Sequence, residues 1–217
     1  DLVRSRGLGD VYKRQEYKYL LELLRAGLYD EFYRTFQDVL VPFLPPEIYG
    51  RSTAENSSFI VSSAHEDAAL HGQGFVARLS GSTAEFLHIW LIINAGPQPF
   101  VWDSSQGLRL KLQPVLPGWM FTRAVSQWEY FDAKKNRRAV TLPKNTYAFI
   151  FLGSTLVVYH NPSRRATFGE NACRIRDILL HPAGQEKPVR ISVPVIPETY
   201  ARDVRDNKVE RIDVYLG

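Results

Sequence analysis

The sequence predicts an α+β fold, helices first and strands afterwards, and three observations carry that expectation. Before about residue 96 apolar residues recur with helical spacing. After it they alternate with polar ones at the two-residue period of half-buried strands. A Gly96-Pro97 pair, which neither a helix nor a strand carries through, marks the change. Helices and strands segregated in this way point to two packed units, 16–96 and 97–217.

The chain has 217 residues, 45% hydrophobic and 23% charged, a composition that excludes disorder and allows a sizeable core. The longest strongly apolar run, residues 86–95 (FLHIWLIINA), has about half the length a bilayer-crossing helix needs, and it carries His88 and Asn94. It reads as a buried helix, with no membrane partner. The single cysteine, Cys173, has no internal disulfide partner, and no secretory leader pattern is visible, so the expected compartment is the cytoplasm. Residues 1–15 (DLVRSRGLGDVYKRQ) share no pattern with the rest of the chain and resemble translated adapter sequence from environmental DNA, so they are set aside as non-native. They hold four basic residues (Arg4, Arg6, Lys13, Arg14) and two acidic ones (Asp1, Asp10), and without them the net charge falls from +4 to +2. That balance argues against a nucleic-acid partner. On this reading the natural protein began before residue 16, and the chain is a fragment of something longer.

Along the chain, residues 16–26 (EYKYLLELLRA) place Tyr17, Leu20, Leu21 and Leu24 on one helical face, with Gly27 as terminator. In YDEFYRTFQDVLV, Asp30 is positioned to cap a second helix whose stripe is Phe32, Tyr33, Phe36, Val39 and Leu40, stopped by Pro42 and Pro45-Pro46. Residues 47–79 read as a long irregular connection, of a length more often functional than idle. A helix from about residue 82 to 95 comes next. Strands are expected at 108–113, 128–131, 147–152, 155–160, 174–180, 189–193 and 209–216, with turn chemistry at Lys144-Asn145, Gly153-Ser154 and Asn161-Pro162. About eight short strands at that spacing suggest a β-sandwich or jelly roll.

The chemistry concentrates in ARLSGSTAEF. Ser82-Thr83-Ala84-Glu85 fits a capping box, in which Ser82 accepts from the residue 85 amide and Glu85 reaches back. The box does not need Ser80 and Gly81. Gly81 admits close approach of a ligand to the backbone, and the amides of a helix start favour an anion. Cap and anion cradle both remain open on these residues, with His71 and Arg78 near enough in sequence to add positive charge. Arg51 could reach a ligand or pin loop carbonyls. Glu55, Glu66 and Asp67 could line a sugar subsite or be solvated loop acids. Trp90 reads as core, and Trp102, Trp119 and Trp128 read as sandwich-core or interface residues, or as stacking platforms if exposed. Lys134-Lys135-Asn136-Arg137-Arg138 reads as a solvated hairpin tip. No metal-ligand spacing is present.

The segment HGQGFVARLSGSTAEFLHIWLIINAGPQPFVWDSSQGLRLKLQPVLPGWMF resembles the end of the catalytic domain in inverting glycoside phosphorylases of the cellobiose phosphorylase type and their β-1,3-glucan phosphorylase relatives. In that family a Gly-rich, aromatic stretch leads into a Thr-Gly-Ser-Ala turn, a helix, and a run matched here by Gly107-Leu108, Leu110, Leu112, Pro114, Leu116-Pro117 and Gly118-Trp119. YAFIFLGSTLVVYHNPSRR resembles the late strands of its C-terminal sheet. The likeness covers roughly residues 71–180. It implies the end of an (α/α)6 barrel (16–96) followed by a jelly-roll-like β-sandwich (97–217), with oligosaccharide and inorganic phosphate as partners, phosphate as co-substrate and no cofactor. Carried over by position, the phosphate-binding hydroxyl falls on Ser80 and the backbone contacts on Gly81 and Ser82. His71, Arg78, Thr83 and Arg51 are further candidates for contact with substrate or phosphate.

Inverting phosphorolysis needs one carboxylic acid to protonate the leaving oxygen, while phosphate attacks the anomeric carbon from the opposite face. The resemblance places that acid upstream of residue 16, so no catalytic residue is assigned here and the chain alone is expected to be inactive. Family members are often dimers, so a homodimer is a candidate state of the full-length protein. Two other functions stay open: a non-catalytic carbohydrate-binding or architectural β-sandwich, and a hydrolase of the same fold.

Overall fold

A computed structural model describes the backbone of residues 9–52, 57–61, 63–77 and 81–217, and the side chains of these except 9–15, 38, 39, 42, 58, 59, 76, 77, 81 and 82. The protein is a mixed α+β chain. It divides into two compact units, one running up to Leu91 and the other Ile92–Gly217.

In the first unit, helix α1 (Gly9–Arg25) precedes α2 (Tyr29–Val39). Tyr17, Leu20, Leu21 and Leu24 are all buried, as their spacing predicts. The helix also runs back through residues 9–15, which the sequence pattern alone sets aside. Gly27, at φ 76°, ends it: the Leu28 amide donates to Leu23 O and the Gly27 amide to Leu24 O, two bonds that only a left-handed residue closes comfortably. α2 departs from expectation at its start. Leu28, with no side-chain cap, holds the capping position, and Asp30 lies in the first turn, where its charge complements the helix dipole. Phe32 and Phe36 are buried with ring centroids 5.3 Å apart. The buried Tyr17 hydroxyl accepts from the Val41 amide at 3.1 Å, and burial pushes its pKa up to about 12.

The connection expected to be irregular is partly ordered. It holds a short helix α3 (Pro46–Tyr49) and an antiparallel pair, β1 (Ser57–Ile60) and β2 (Gly74–Ala77), which precedes helix α4 (Gly81–Ala95). These strands are four residues each, too short for an alternation to show in sequence.

The second unit opens with the hairpin β3 (Phe100–Asp103) and β4 (Gly107–Leu110), then the hairpin β5 (Ser126–Phe131) and β6 (Arg137–Leu142). A five-stranded sheet comes next: β7 (Thr146–Phe151), β8 (Thr155–His160), β9 (Ile175–Pro182), β10 (Val189–Ile191) and β11 (Val209–Leu216), in the order β10-β9-β11-β8-β7. Helix α5 (Glu198–Arg205) lies between the last two strands in sequence. It lets β11 enter the middle of the sheet parallel to β8, while every other pairing is antiparallel. The expected strands are present, and 155–160 matches residue for residue. The sequence pattern does not reveal β3, β6 and α5. β6 hides behind Arg137 and Arg138, whose charges meet Glu129 and Asp132 across the hairpin, and α5 has only Ala201 and Val204 buried.

Register sorts the sheet's side chains onto two faces. One carries Phe149, Phe151, Val157, Tyr159, Ile178, Leu180, Ile212 and Val214, all buried. There Phe100 stacks on Phe151 at 5.9 Å and the Tyr159 hydroxyl donates to Asn94 O at 2.7 Å. The other face is apolar at one end only. Leu156 and Val158, with Ala148 and Ile150, pack against Trp128, Tyr130, Val140 and Leu142 of the β5–β6 hairpin. Beyond them the same face becomes polar, with His160, His181, Arg211 and Asp213.

Candidate functional site

The strand β2 delivers the chain toward the start of α4, and a knot of buried polar groups fixes that strand. Tyr49, fully buried at the end of α3, donates its hydroxyl to Ser57 Oγ at 2.6 Å and accepts from the Ser57 amide at 2.9 Å. Ser57 pairs with Ala77, the last residue of β2. Gly74, the first, lies flat on the Tyr49 ring; a Cβ there would overlap the ring and Ser57 Oγ, so the position admits only glycine without displacement. Arg51 Nε donates to Gly74 O at 2.7 Å. Of the two roles open to Arg51, the structure displays the carbonyl pin.

Among the described residues α4 runs from Gly81, so Gly81 and Ser82 are its first two described residues. The capping box read from Ser82 to Glu85 is therefore displaced: Ser82 sits inside the helix. The first amides of an α-helix have no partner within it and carry its positive end, and the expectation of an anion cradle at Gly81 and Ser82 rests on that property. Thr83 comes next, half-buried. Arg78 and Ser80 lie outside the described residues, as does Glu55.

His71 is used locally. Its Nε2–H donates to His65 O at 2.8 Å, and His65 Nδ1 accepts from the Asp67 amide at 3.1 Å. Asp67 in turn accepts from the Ala69 amide at 2.9 Å. These bonds shape residues 65–71 into a short 3-10 turn. They account for Asp67 as a local cap, with no sugar needed to explain it.

One helical turn into α4, a shallow groove of about 340 Å³ opens, lined by Lys18, Glu22, Arg25, Glu85 and His88 with Leu21 and Ala84. Arg25 pairs with Glu22 at 2.5 Å and approaches His88 Nδ1 at 3.4 Å. Glu85 Oε2 is buried without a hydrogen-bond partner among the described residues. Lys18, Arg25 and His88 place basic groups within a turn or two of the helix start.

Two features are not visible in the sequence pattern. Tyr49, Ser57 and Gly74 are scattered over 26 positions, and only the two glycines of HGQGF hint at a close approach. In the second unit, buried Asp213 accepts from His160 Nε2 at 2.6 Å, His181 Nε2 at 2.9 Å and an Arg211 Nη2 at 2.6 Å. Burial pushes the Asp213 carboxyl up, but the hydrogen bonds from His160 and Arg211 and their charge outweigh it and hold the carboxyl below the usual range. No local motif announces partners 32 and 53 residues apart. Among the described residues no group of three His, Cys, Asp or Glu side chains is arranged to hold a metal ion, and no helix is long and apolar enough to cross a membrane. Trp102 and Trp119 are exposed, whereas Trp128 stacks on Tyr130 at 5.9 Å in the β5–β6 layer. Neither a protein-family model nor a curated protein matches the chain.

Proposed function

We propose that the chain is the C-terminal part of an inverting glycoside phosphorylase of the cellobiose phosphorylase or β-1,3-glucan phosphorylase type, acting on β-linked gluco-oligosaccharides in the cytoplasm. The observation that carries the reading is the junction of β2 and α4. A strand fixed by Tyr49, Ser57 and Arg51 leads within four residues into a 15-residue helix whose first residues are Gly81 and Ser82. On this reading α1, α2 and α4 belong to the end of an (α/α)6 barrel. The five-stranded sheet and the hairpin layered on it form the β-sandwich.

Phosphate is already an anion, so its attack on the anomeric carbon needs orientation and charge stabilisation and no protein base. The Gly81 and Ser82 amides hold it from the backbone, and Ser80 supplies a hydroxyl. Arg51 and His71 act behind them by shaping the strand and loop that present the turn. The acid that protonates the leaving sugar comes from elsewhere in the full-length protein, so the chain by itself binds phosphate and does not turn over.

Two measurements test this. Titrating the chain with inorganic phosphate, followed by amide chemical shifts, is expected to move Gly81 and Ser82, and Ser80→Ala is expected to weaken the effect. In the full-length protein, sugar release from laminari- or cello-oligosaccharides is expected to require phosphate. Release without phosphate would leave a hydrolase of the same fold; unmoved Gly81 and Ser82 amides would reduce the turn to a helix cap.

A further inference from the structure

Two helical stripes line the groove of the first unit. Lys18, Glu22 and Arg25 follow one another at i, i+4 and i+7 on α1, and Glu85 and His88 stand three residues apart on α4. Arg25 joins the stripes, with Nη1 on Glu22 Oε1 and Nη2 against His88 Nδ1. Leu21 and Ala84 supply apolar wall between the polar groups. The volume of about 340 Å³ lies at the small end of the roughly 300–1,000 Å³ that ligand clefts span. That is room for a ligand on the scale of a sugar ring.

What each group can still give or take narrows the ligand's chemistry. Glu85 Oε2 is buried and has no partner among the described residues, and a carboxylate oxygen only accepts. Leaving such an oxygen dry and unpaired is costly, so the groove asks its ligand for a donor. The other open valences run the opposite way. Lys18 offers ammonium hydrogens, and Arg25, which only donates, makes His88 Nδ1 the acceptor and leaves the ring hydrogen on Nε2. The ligand must therefore also accept. An anion here meets the two carboxylates of Glu22 and Glu85. An ammonium group satisfies Glu85 but meets Lys18 and Arg25, and it accepts nothing. A hydroxyl both donates and accepts without charge, and neighbouring hydroxyls on one ring divide the two tasks between them.

We propose that this groove is a saccharide subsite. Glu85 accepts the hydrogen of one ring hydroxyl, Lys18 and His88 donate to the oxygens beside it, and Leu21 and Ala84 meet the ring's C–H surface. The inference goes beyond the phosphate turn: it needs neither an anion at Gly81 and Ser82 nor turnover, and it stands if both are absent.

The test is a titration of the purified chain with laminaribiose and with cellobiose in phosphate-free buffer, followed by amide chemical shifts. Saturable shifts centred on residues 18–25 and 84–88 are expected with at least one of the two, with a dissociation constant on the order of 1–10 mM for so small a contact. Glu85→Gln keeps the side chain's size but turns one acceptor into a donor, and it is expected to weaken binding about fivefold. His88→Ala, at an exposed position, removes one donor and is expected to weaken it about twofold. Circular dichroism of each variant checks that the helices persist. Absence of saturable shifts with either sugar, unchanged affinity in Glu85→Gln, or an equal response to glycerol at the same concentration would each overturn the proposal. So would groove shifts with inorganic phosphate alone, which would make this an anion site. Should Glu85→Gln not fold, His88→Ala becomes the deciding variant. The response of Gly81 and Ser82 to phosphate is read in a separate titration, so failure of the subsite and failure of the phosphate turn remain distinct results.

Discussion

The two units bury their apolar residues to different degrees, and the places where burial stops differ in kind. In the second unit, exposed large apolar residues sit at turns and strand ends: Trp102, Phe131, Leu152 and Val193 all lie at or near a hairpin tip or the end of a strand. The sheet between them is covered by residues of the same unit. In the first unit several of the exposed residues lie within helices, while Leu28 precedes α2 and Phe75 is on β2. Tyr19 is on α1, and Leu87 and Trp90, three residues apart on α4, share a face away from the buried Ile89. A helix that is apolar all round is normally buried all round. The second unit thus reads as a completed core, and α4 as a helix that buries Ile89 and exposes Leu87. The difference accords with helices from a larger helical layer, as the proposed function requires, and it yields predictions that separate covered from bare positions.

The largest effect is expected where the second unit is most closed. Asp213→Ala leaves two imidazoles and a guanidinium around an empty place, and breaking a buried charged network in this way destabilises by about 3–5 kcal/mol. Urea denaturation of the chain, followed by near-ultraviolet circular dichroism, checks it. A loss near zero would mean that water reaches the cluster and that this face is less closed than the geometry indicates.

The same carboxylate gives a pH dependence whose sign is fixed. Asp213 is held below its ordinary value, so its contribution is fully present above about pH 3.9, the unfolded aspartate range. It fades as pH falls through the lower, folded value. The stability gap between wild type and Asp213→Asn is therefore expected to be constant at neutral pH and to shrink below about pH 4. A gap that widened on acidification would contradict the assignment.

A smaller effect is expected at Gly74, the tightest local packing of the first unit. A methyl there meets the Tyr49 ring and Ser57 Oγ, and overpacking of this kind typically destabilises by about 1–3 kcal/mol. Gly74→Ala is also expected to weaken the phosphate response of Gly81 and Ser82, because it displaces the strand that leads to them. Thermal unfolding and the phosphate titration, run on one sample, separate loss of fold from loss of aim.

How much of the molecule was legible in the sequence depends on the range of the interactions involved. Leu20, Leu21 and Leu24 announced α1 because each turn of a helix repeats its own pattern, and Thr155 to His160 announced β8 for the same reason at period two. The mixed α+β character was legible too, whereas β1 and β2 before α4 and α5 before β11 were not. Ser80, Gly81 and Ser82 were picked out by local chemistry together with the family resemblance, and their role is the proposal made above. What fixes the strand before them, Tyr49 on Ser57 and Arg51 on Gly74, was not legible, because those bonds join residues that only folding brings together. Asp213 reads in VERIDVYL as one more acid on the polar side of a strand. Its role depends on two histidines from strands that sheet order alone makes its neighbours. Arg51 was legible as one of two alternatives, and its 2.7 Å bond to Gly74 O displays one of them.

The smallest effect is expected at the exposed Leu87 of α4, and there a null result carries the information. Leu87 is 60% exposed, so Leu87→Lys removes little packing; a lysine has good helix propensity, and its stem can lie along the surface the leucine now covers. Changes at uncovered surface positions usually fall within about 0.5 kcal/mol of the parent. The same change on a covered apolar face would bury an unpaired ammonium, so one substitution reads the state of that face. In this chain, equal unfolding midpoints for wild type and Leu87→Lys are expected. In the full-length protein of the proposed function, where further helices would complete the layer, the substitution is expected to become strongly destabilising. Should the two contexts respond alike, α4 would be bare in both, and the first unit would have to be understood as a helical surface in its own right.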